Sequence, residues 1–277
     1  MSIRVMSWNV DGTFPPAGSS AAVNAKVEWL DSLNRLPDIL LLQEVNPNQR
    51  DLWHELLLET LGYTALTDTI EWARDLDNSN GHITAVREDW RLSENRFGRD
   101  STGTPVELDT LDTAFPEKIL ITDIELPQAT IEVLNIRAVP GSSWGVEKII
   151  ILEQVYEWMT TTGEKPRILA GDFNAPNTEL ADGQAIPFGY EKEAEIRNRW
   201  VSAELNLLKG IGHIGLIDAF RAVHGYGDID HVDLSWDRTK RFDHLFMSEE
   251  FGLNDCRYLS AGYDYSDHAP IVAEFEI

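Results

Sequence analysis

The chain has 277 residues, of which 43% are hydrophobic, and a formal net charge of −24. That length suits one large α/β domain, 1–277, with a sizeable core, and no apolar run is long enough to cross a bilayer as a helix. The charge repels phosphate backbones at long range, so a nucleic-acid partner stays possible but long duplex DNA is expected to bind weakly, and the single cysteine, Cys256, excludes an internal disulfide.

Residues 2–10 alternate and read as a strand, with Ile3, Val5, Ser7 and Asn9 on one face. Residues 11–20 carry Gly, Pro and Ser and read as a loop. Val23, Val27, Leu30 and Leu33 recur at helical spacing, which predicts a helix over 21–36. Residues 39–45 are apolar except Gln43 and Glu44, so they read as a buried strand with a polar tip. A second helix follows over 48–61, closed by Gly62. Strands are predicted at 63–69 and 82–87. The polar loop 71–81 between them is a candidate rim of a site. Residues 95–117 are the longest irregular stretch, and a loop of that length inside a compact domain is usually functional or mobile.

Residues 118–126 and 130–139 read as a strand pair, and 144–161 as a helix. After the segment 166–176 come a loop over 177–189, a helix over 191–208 and a shorter one over 212–224. Residues 225–240 form a loop carrying Trp236, and strands at 242–248 and 269–277 close the chain. There is no internal repeat and no low-complexity tract. The first residues enter a strand directly, without a charged-then-apolar leader, so a cytoplasmic monomer is expected.

The most informative segment is Pro166-Arg167-Ile168-Leu169-Ala170-Gly171-Asp172-Phe173-Asn174-Ala175-Pro176. The apolar run from Ile168 to Ala170 stops at Gly171, and Asp172 and Asn174 follow at alternate positions. If the extended geometry holds that far, the carboxylate and the amide point the same way. Gly-Asp and Asn-Ala-Pro are also good turn chemistry. In open α/β sheets, ligands bind where strands run out into loops.

Four further segments stand with it. Met6-Ser7-Trp8-Asn9-Val10-Asp11-Gly12 ends the first strand, and Leu41-Leu42-Gln43-Glu44-Val45 ends the second. Arg241-Phe242-Asp243-His244 lies near the C-terminus, and Ser266-Asp267-His268-Ala269-Pro270 opens the last strand. In this order the five segments resemble the endonuclease/exonuclease/phosphatase superfamily, which includes pancreatic deoxyribonuclease, apurinic endonucleases, neutral sphingomyelinases and inositol polyphosphate phosphatases. The resemblance runs from Asn9 to His268. It implies an α/β four-layer sandwich: two packed mixed β-sheets with helices on the outer faces.

Hydrolysis of a phosphodiester needs a cation on the phosphate oxygens, an activated water in line with the scissile bond and a stabilised leaving oxygen. Hard oxygen ligands suit Mg²⁺ or Mn²⁺. Glu44, a lone carboxylate at the end of an apolar strand, is the best candidate ligand, and Asn9 offers an amide oxygen nearby. The competing readings are a surface carboxylate for Glu44 and a turn-former for Asn9. The resemblance makes Asp172 the general base or water orienter and Asn174 a holder of the nucleophile or a phosphate oxygen. It makes Asp267 a metal-side ligand and His268 the phosphate contact. Asp243 would orient His268 and raise its basicity. His82 is kept as a rim residue, and the other histidines read as structural. Trp29, Trp53 and Trp158 read as core, whereas Trp72, Trp144 and Trp236 are candidates to stack on a base or touch a lipid.

One position departs from the pattern. Many members carry Asn-x-His on the strand before the central helix, and here the run is Asn135-Ile136-Arg137. Arginine cannot serve as a general acid near neutral pH. Strand alternation puts Asn135 and Arg137 on one face and Leu134 and Ile136 on the other. Arg137 is then either a counter-ion to Asp172 or Asp267, or a fork on the substrate phosphate.

The leading reading is a divalent-metal-dependent nuclease or phosphodiesterase. The alternative is a phosphatase or phospholipase-like enzyme on a small or lipid phosphate. A non-catalytic binding module ranks last, because Asn9, Glu44, Asp172, Asn174, Asp243, Asp267 and His268 are all present. No basic cluster with interleaved aromatics marks a nucleic-acid face, and Arg87, Arg91, Arg96 and Arg99 are spaced among acids.

Overall fold

The computed structural model describes residues 1–74, 80–94, 97–99, 105–107, 113–160, 165–227 and 234–277. Residues 75–79 of the expected rim loop, most of the irregular stretch 95–112, residues 228–233 of the loop before Trp236, and with them Arg96 and His231, lie outside the described residues.

The strands in chain order are β1 (Ser2–Asn9), β2 (Ile39–Val45), β3 (Ala65–Asp68), β4 (Gly81–Val86), β5 (Arg91–Glu94), β6 (Phe97–Arg99), β7 (Pro105–Glu107) and β8 (Ile119–Glu125). They continue as β9 (Thr130–Arg137), β10 (Arg167–Asp172), β11 (Thr178–Glu179), β12 (Ala185–Ile186), β13 (Leu216–Asp218), β14 (Asp243–Ser248), β15 (Gly252–Tyr258) and β16 (Ile271–Glu276). One mixed sheet has the order β15-β16-β1-β2-β4-β3, and the other β13-β14-β10-β9-β8-β5. β1–β2 and β9–β10 are parallel pairs, and the other pairs of these two sheets are antiparallel.

Alternation on the central strands builds the layers. Ile3, Val5, Ile39, Leu41, Val133, Ile168, Ala170, Leu245 and Met247 meet between the sheets. Their neighbours point outward. Met6, Trp8, Leu40 and Leu42 pack on Val27, Leu30 and Trp53. Leu134, Ile136 and Leu169 pack on Ile151, Leu152, Trp200 and Leu207. These partners belong to α1 (Ser20–Asp31), α2 (Arg50–Glu55), α5 (Glu147–Thr160) and α6 (Ala194–Leu208), with α3 (Ile70–Arg74), α4 (Gly141–Trp144) and α7 (Ala219–His224) as short additions. The result is the expected four-layer sandwich. Each buried aliphatic side chain contributes about 1.5–3 kcal/mol. A slip of one residue would turn a whole row to the wrong layer, so burial on both faces enforces the register.

Several elements differ from the sequence expectation. The first helix ends at Asp31 because the Ser32 hydroxyl turns back to the Trp29 carbonyl (2.6 Å). The second breaks into a 3₁₀ turn at Pro47–Gln49, α2, and a π turn at Leu56–Thr60. The expected helix over 212–224 is a 3₁₀ turn, then β13, then α7 capped by Asp218. β15 was not apparent in the sequence. It is an edge strand whose pairing shifts between Leu253 and Asp255, which breaks the two-residue period. No described helix is long and apolar enough to cross a membrane.

Candidate active site

The candidate residues gather where the central strands of both sheets end. Asn9 closes β1, Arg137 closes β9, Asp172 closes β10 and Asp243 opens β14. Register lines up the second sheet's share directly: Asp172 is paired with Arg137 on one side and with Asp243 on the other. Gly171 makes this possible. Its φ is +145°, and a Cβ there would lie 1.9 Å from the Ile136 carbonyl oxygen, so only glycine lets β10 lie against β9 at this point.

Glu44 reaches the site through an irregularity. Gln43 points between the sheets, donating to Ser7 Oγ (3.0 Å) and Asn135 Oδ1 (2.7 Å). Simple alternation would send Glu44 to the opposite face. Instead the pairing of β2 with β4 shifts between Leu42 and Val45, and Glu44 adopts φ +59°. This left-handed conformation is strained for a residue with a Cβ, and here it aims a carboxylate into the cleft. The turn facing it needs Gly12, because a Cβ there would lie 2.2 Å from the Glu44 carbonyl oxygen.

The side chains form one connected group. Asn9 Nδ2 donates to Glu44 Oε1 (2.9 Å) and Asp172 Oδ2 (3.0 Å), while Asn9 Oδ1 accepts from the Asp11 backbone N–H (3.0 Å). Asn9 therefore turns its amide nitrogen, not its oxygen, toward the carboxylates. Arg137 pairs with Glu44 Oε1 at 2.6 Å and lies 3.7 Å from Asp172 Oδ2, so Glu44 is its nearer partner, where Asp172 or Asp267 was expected. Asp172 Oδ1 accepts from the Asn174 backbone N–H (2.8 Å), and Asn174 Nδ2 donates to Asp172 Oδ2 (3.1 Å) and the Ala138 carbonyl (2.7 Å). Asn174 has φ +47°, so a turn rather than an extended strand brings the two side chains together.

His268 Nδ1 lies 2.7 Å from Asp243 Oδ2, and its Nε2 lies 4.0 Å from Asp172 Oδ2 and 3.8 Å from Asp267 Oδ1. The exposed Asp267 accepts from Trp236 Nε1 (3.1 Å). Ser235 ties the two halves of this arrangement together. Its hydroxyl accepts from the Phe242 and Asp243 backbone N–H groups (both 2.8 Å), and its carbonyl accepts from Ala269 (2.7 Å).

The electrostatics separate two roles. Burial alone would neutralise His268, but Asp243 and Asp172 overcome it and raise the imidazole to about 10, so it is a cation at neutral pH. Asp172 is pushed up to about 6, first by burial, against the pull of His268 and with Asp243 adding repulsion. Burial would also raise Glu44, yet Arg137 and the hydrogen bonds from Thr13 and Asn9 bring it down to about 2. A carboxyl raised to about 6 thus sits between an anchored carboxylate and a charged imidazole.

Two groupings could hold a cation. Ligand atoms of Asp172, Asp243 and His268 lie within 4.8 Å of one another. That trio already contains the imidazolium, whose Nδ1 is bonded to Asp243, so it fits proton handling better than metal ligation. The other side of the cleft carries Glu44 and Asp267, and Asp11 feels the charge of both. Burial first, then repulsion from Asp267 and Glu44, raises Asp11 to about 6. Hard carboxylate oxygens are the donors that Mg²⁺ or Mn²⁺ takes, so Glu44 and Asp267 suit such an ion by their chemistry.

The cleft encloses about 490 Å³. Beyond the carboxylates its walls are Phe188, Trp236 and Phe242, with Lys192 and Lys240 at the edge. Trp236 stacks on Phe242, with centroids 5.2 Å apart and planes at 21°.

Residues 6–268 match the Endonuclease/Exonuclease/phosphatase family. The chain belongs to this family. It is a divalent-metal-dependent hydrolase of phosphoric esters, the class that cleaves phosphodiesters. Among solved structures, a humanised TDP2 from D. rerio shares 17% identity over 100% of this chain and 99% of its own, with a TM-score of 0.66. The AP endonuclease LMAP from Leishmania major shares 16% over 100% and 88%, also at 0.66. The 3'-5' exonuclease NExo from Neisseria meningitidis shares 20% over 99% and 100%, at 0.59. At these identities the likeness is one of fold. No curated protein matches the chain.

Sequence reasoning did not single out several residues that support this cleft, Asn80 having been read only as part of the rim loop 71–81. Thr13 donates to Glu44 Oε2 (2.6 Å), Asn80 Nδ2 bonds Thr13 Oγ1, and buried Lys118 donates to Asn80 Oδ1 (2.6 Å). Lys148 supports Asn174 through its carbonyl (2.7 Å). These contacts cross long sequence separations and carry no local signal. Asp11 had one, since it follows Asn9 by two positions. His82 is not a rim residue: it is fully buried against the Glu117 carbonyl (2.8 Å) and driven down to about 3 by burial. Of the three loop tryptophans, Trp236 lines the cleft. Trp72 packs on the outer core, and Trp144 is exposed against Phe115.

Proposed function

We propose that the chain hydrolyses a phosphodiester by in-line attack of a water activated at Asp172, with Mg²⁺ or Mn²⁺ held by Glu44 and Asp267; Asn9, expected as a further ligand, instead positions Glu44 and Asp172 through its amide nitrogen. The observation that carries this is the position of Asp172 between the Glu44 and His268 sides of one cleft. When bound, the cation neutralises charge on the phosphate oxygens. Asp172 takes the proton of the water, and a carboxyl near 6 is matched to that task at neutral pH. Asn174 fixes the orientation of Asp172 through its backbone N–H and side-chain amide. His268, charged and held by Asp243, donates from Nε2 to a phosphate oxygen as negative charge grows there. Arg137 adds a second donor on the β9 side.

The aromatic walls and the overall charge favour a compact ester, such as a small diester or a single-stranded end, over a long duplex. A cytoplasmic monomer built as one domain, 1–277, accords with the single buried thiol of Cys256. The test is a panel assayed with Mg²⁺, with Mn²⁺ and with chelator: a generic aryl diester, a monoester, single- and double-stranded DNA, RNA and sphingomyelin. Metal-dependent turnover of diesters above the monoester is the expected result. Turnover of the monoester alone would replace this reading with a phosphatase.

A further inference from the structure

Glu44 has little spare capacity. Its Oε1 accepts from Asn9 Nδ2 (2.9 Å) and is ion-paired with Arg137 NH2 (2.6 Å), and its Oε2 accepts from Thr13 Oγ1 (2.6 Å). A carboxylate offers about four lone-pair positions, so two are already used and a guanidinium stands against the remainder. Two of the three donors are neutral and can remain beside a metal ion. The third is a guanidinium at charge-assisted distance. A divalent cation on the same carboxylate would face that positive charge at close range.

Arg137 is only partly committed to Glu44. Its side chain is 12% exposed at the end of β9 and lines the cleft. Its Nε is buried without a hydrogen-bond partner among the described residues and stands 3.7 Å from Asp172 Oδ2. One edge of the fork is therefore ion-paired, while another donor is buried beside the catalytic carboxylate. A guanidinium is built to grip a phosphate through two parallel donors.

We propose that Arg137 and the divalent cation exchange at Glu44. Without metal, the guanidinium neutralises the carboxylate and keeps the ligand in place. Metal arrival displaces it, and the freed fork turns to the phosphate of the ester. Metal loading and anion capture are then coupled, and each strengthens the other by the same factor. This exchange rests on the metal-site reading under Proposed function.

The test is Mn²⁺ binding by isothermal titration calorimetry without substrate, above neutral pH so that Glu44 is ionised in every variant. Arg137→Ala and Arg137→Gln should bind Mn²⁺ about tenfold more tightly than wild type, because the competing cation is gone. Inorganic phosphate should bind wild type at least about fivefold more tightly with Mg²⁺ than without, and this gain should shrink in both variants. Arg137→Gln keeps length and a donor, so it covers the case in which the alanine variant folds poorly. Unchanged or weaker Mn²⁺ binding in both variants overturns the exchange. Glu44→Gln separates the two readings. If it loses Mn²⁺ while the Arg137 variants fail to tighten, the exchange alone is wrong. If it keeps wild-type Mn²⁺ affinity, the metal assignment falls as well.

Discussion

His268 Nδ1 and Asp243 Oδ2 lie 2.7 Å apart, buried where β14 faces the segment before β16. Asp243 fixes the ring orientation and favours the charged imidazole. The two should therefore behave as one unit. His268→Ala should lower kcat about a thousandfold. Adding Asp243→Asn should cost little more, because members of one unit are not additive. Losses that multiply across the pair would give Asp243 a separate role.

Glu44→Gln keeps the shape of the side chain and its left-handed backbone but removes the charge. It should abolish saturable metal activation of diester hydrolysis. It also leaves Arg137 without its closest counter-ion, which should cost about 2 kcal/mol of stability. The readouts are a metal titration of rate and a thermal melt on the same preparations. A folded variant with unaltered metal dependence would sink the assignment of Glu44.

Arg137→Lys retains a cation but not the planar fork. The expected loss is about ten- to hundredfold in kcat, with a melting temperature close to that of wild type, measured by steady-state kinetics and calorimetry. Full activity in the lysine variant would show that charge alone is enough.

A second charged network lies behind the site and should make the fold sensitive to acid. Arg241 NH2 pairs with Asp218 Oδ1 at 2.6 Å and NH1 with Glu179 Oε2 at 3.1 Å, and Arg241 Nε donates to Tyr258, whose hydroxyl donates to the Asp243 carbonyl. Burial would raise the Asp218 carboxyl, but Arg241 outweighs it and brings it down to about 2. A lowered folded-state value gives stability that is complete above the ordinary aspartate range and lost as pH falls toward 2. Chemical denaturation of wild type should lose about 2 kcal/mol more than Asp218→Asn over that window. Equal acid sensitivity of the two proteins would show that this pair carries no such stability.

Duplex DNA should bind weakly. At a net charge of −24 the protein opposes a polyanion. Fluorescence anisotropy with a labelled duplex should show binding only with divalent cation and only at low salt. Tight binding in chelator, with a steep salt dependence, would contradict this.

Much of the site could be read because its residues end strands. On β1, Ile3, Val5 and Ser7 form one buried row that delivers Asn9, and on β9 Asn135 and Arg137 take the face opposite Leu134 and Ile136, as alternation requires. Asp172 and Asp243 were found as residues, but their adjacency depends on the pairing of β10 with β14 across more than seventy positions. Thr13, Asn80, Lys118 and Ser235 were not singled out because each acts on a partner far along the chain or through backbone atoms, and such contacts leave no local pattern.

By itself the sequence determined the strand rows, the polar tips that end them and the order of motifs by which the chain resembles the phosphoric ester hydrolases of its family. Hydrophobic period and motif order are local properties, so they survive without coordinates. Only the tertiary structure decided which face Glu44 takes, since a bulge and a left-handed φ overrule alternation there. Only it showed that Arg137 sits on Glu44 and that Asn9 turns its nitrogen to the carboxylates. Those choices are made by charge and hydrogen-bond competition among side chains from different strands, and that competition exists only once the two sheets have packed.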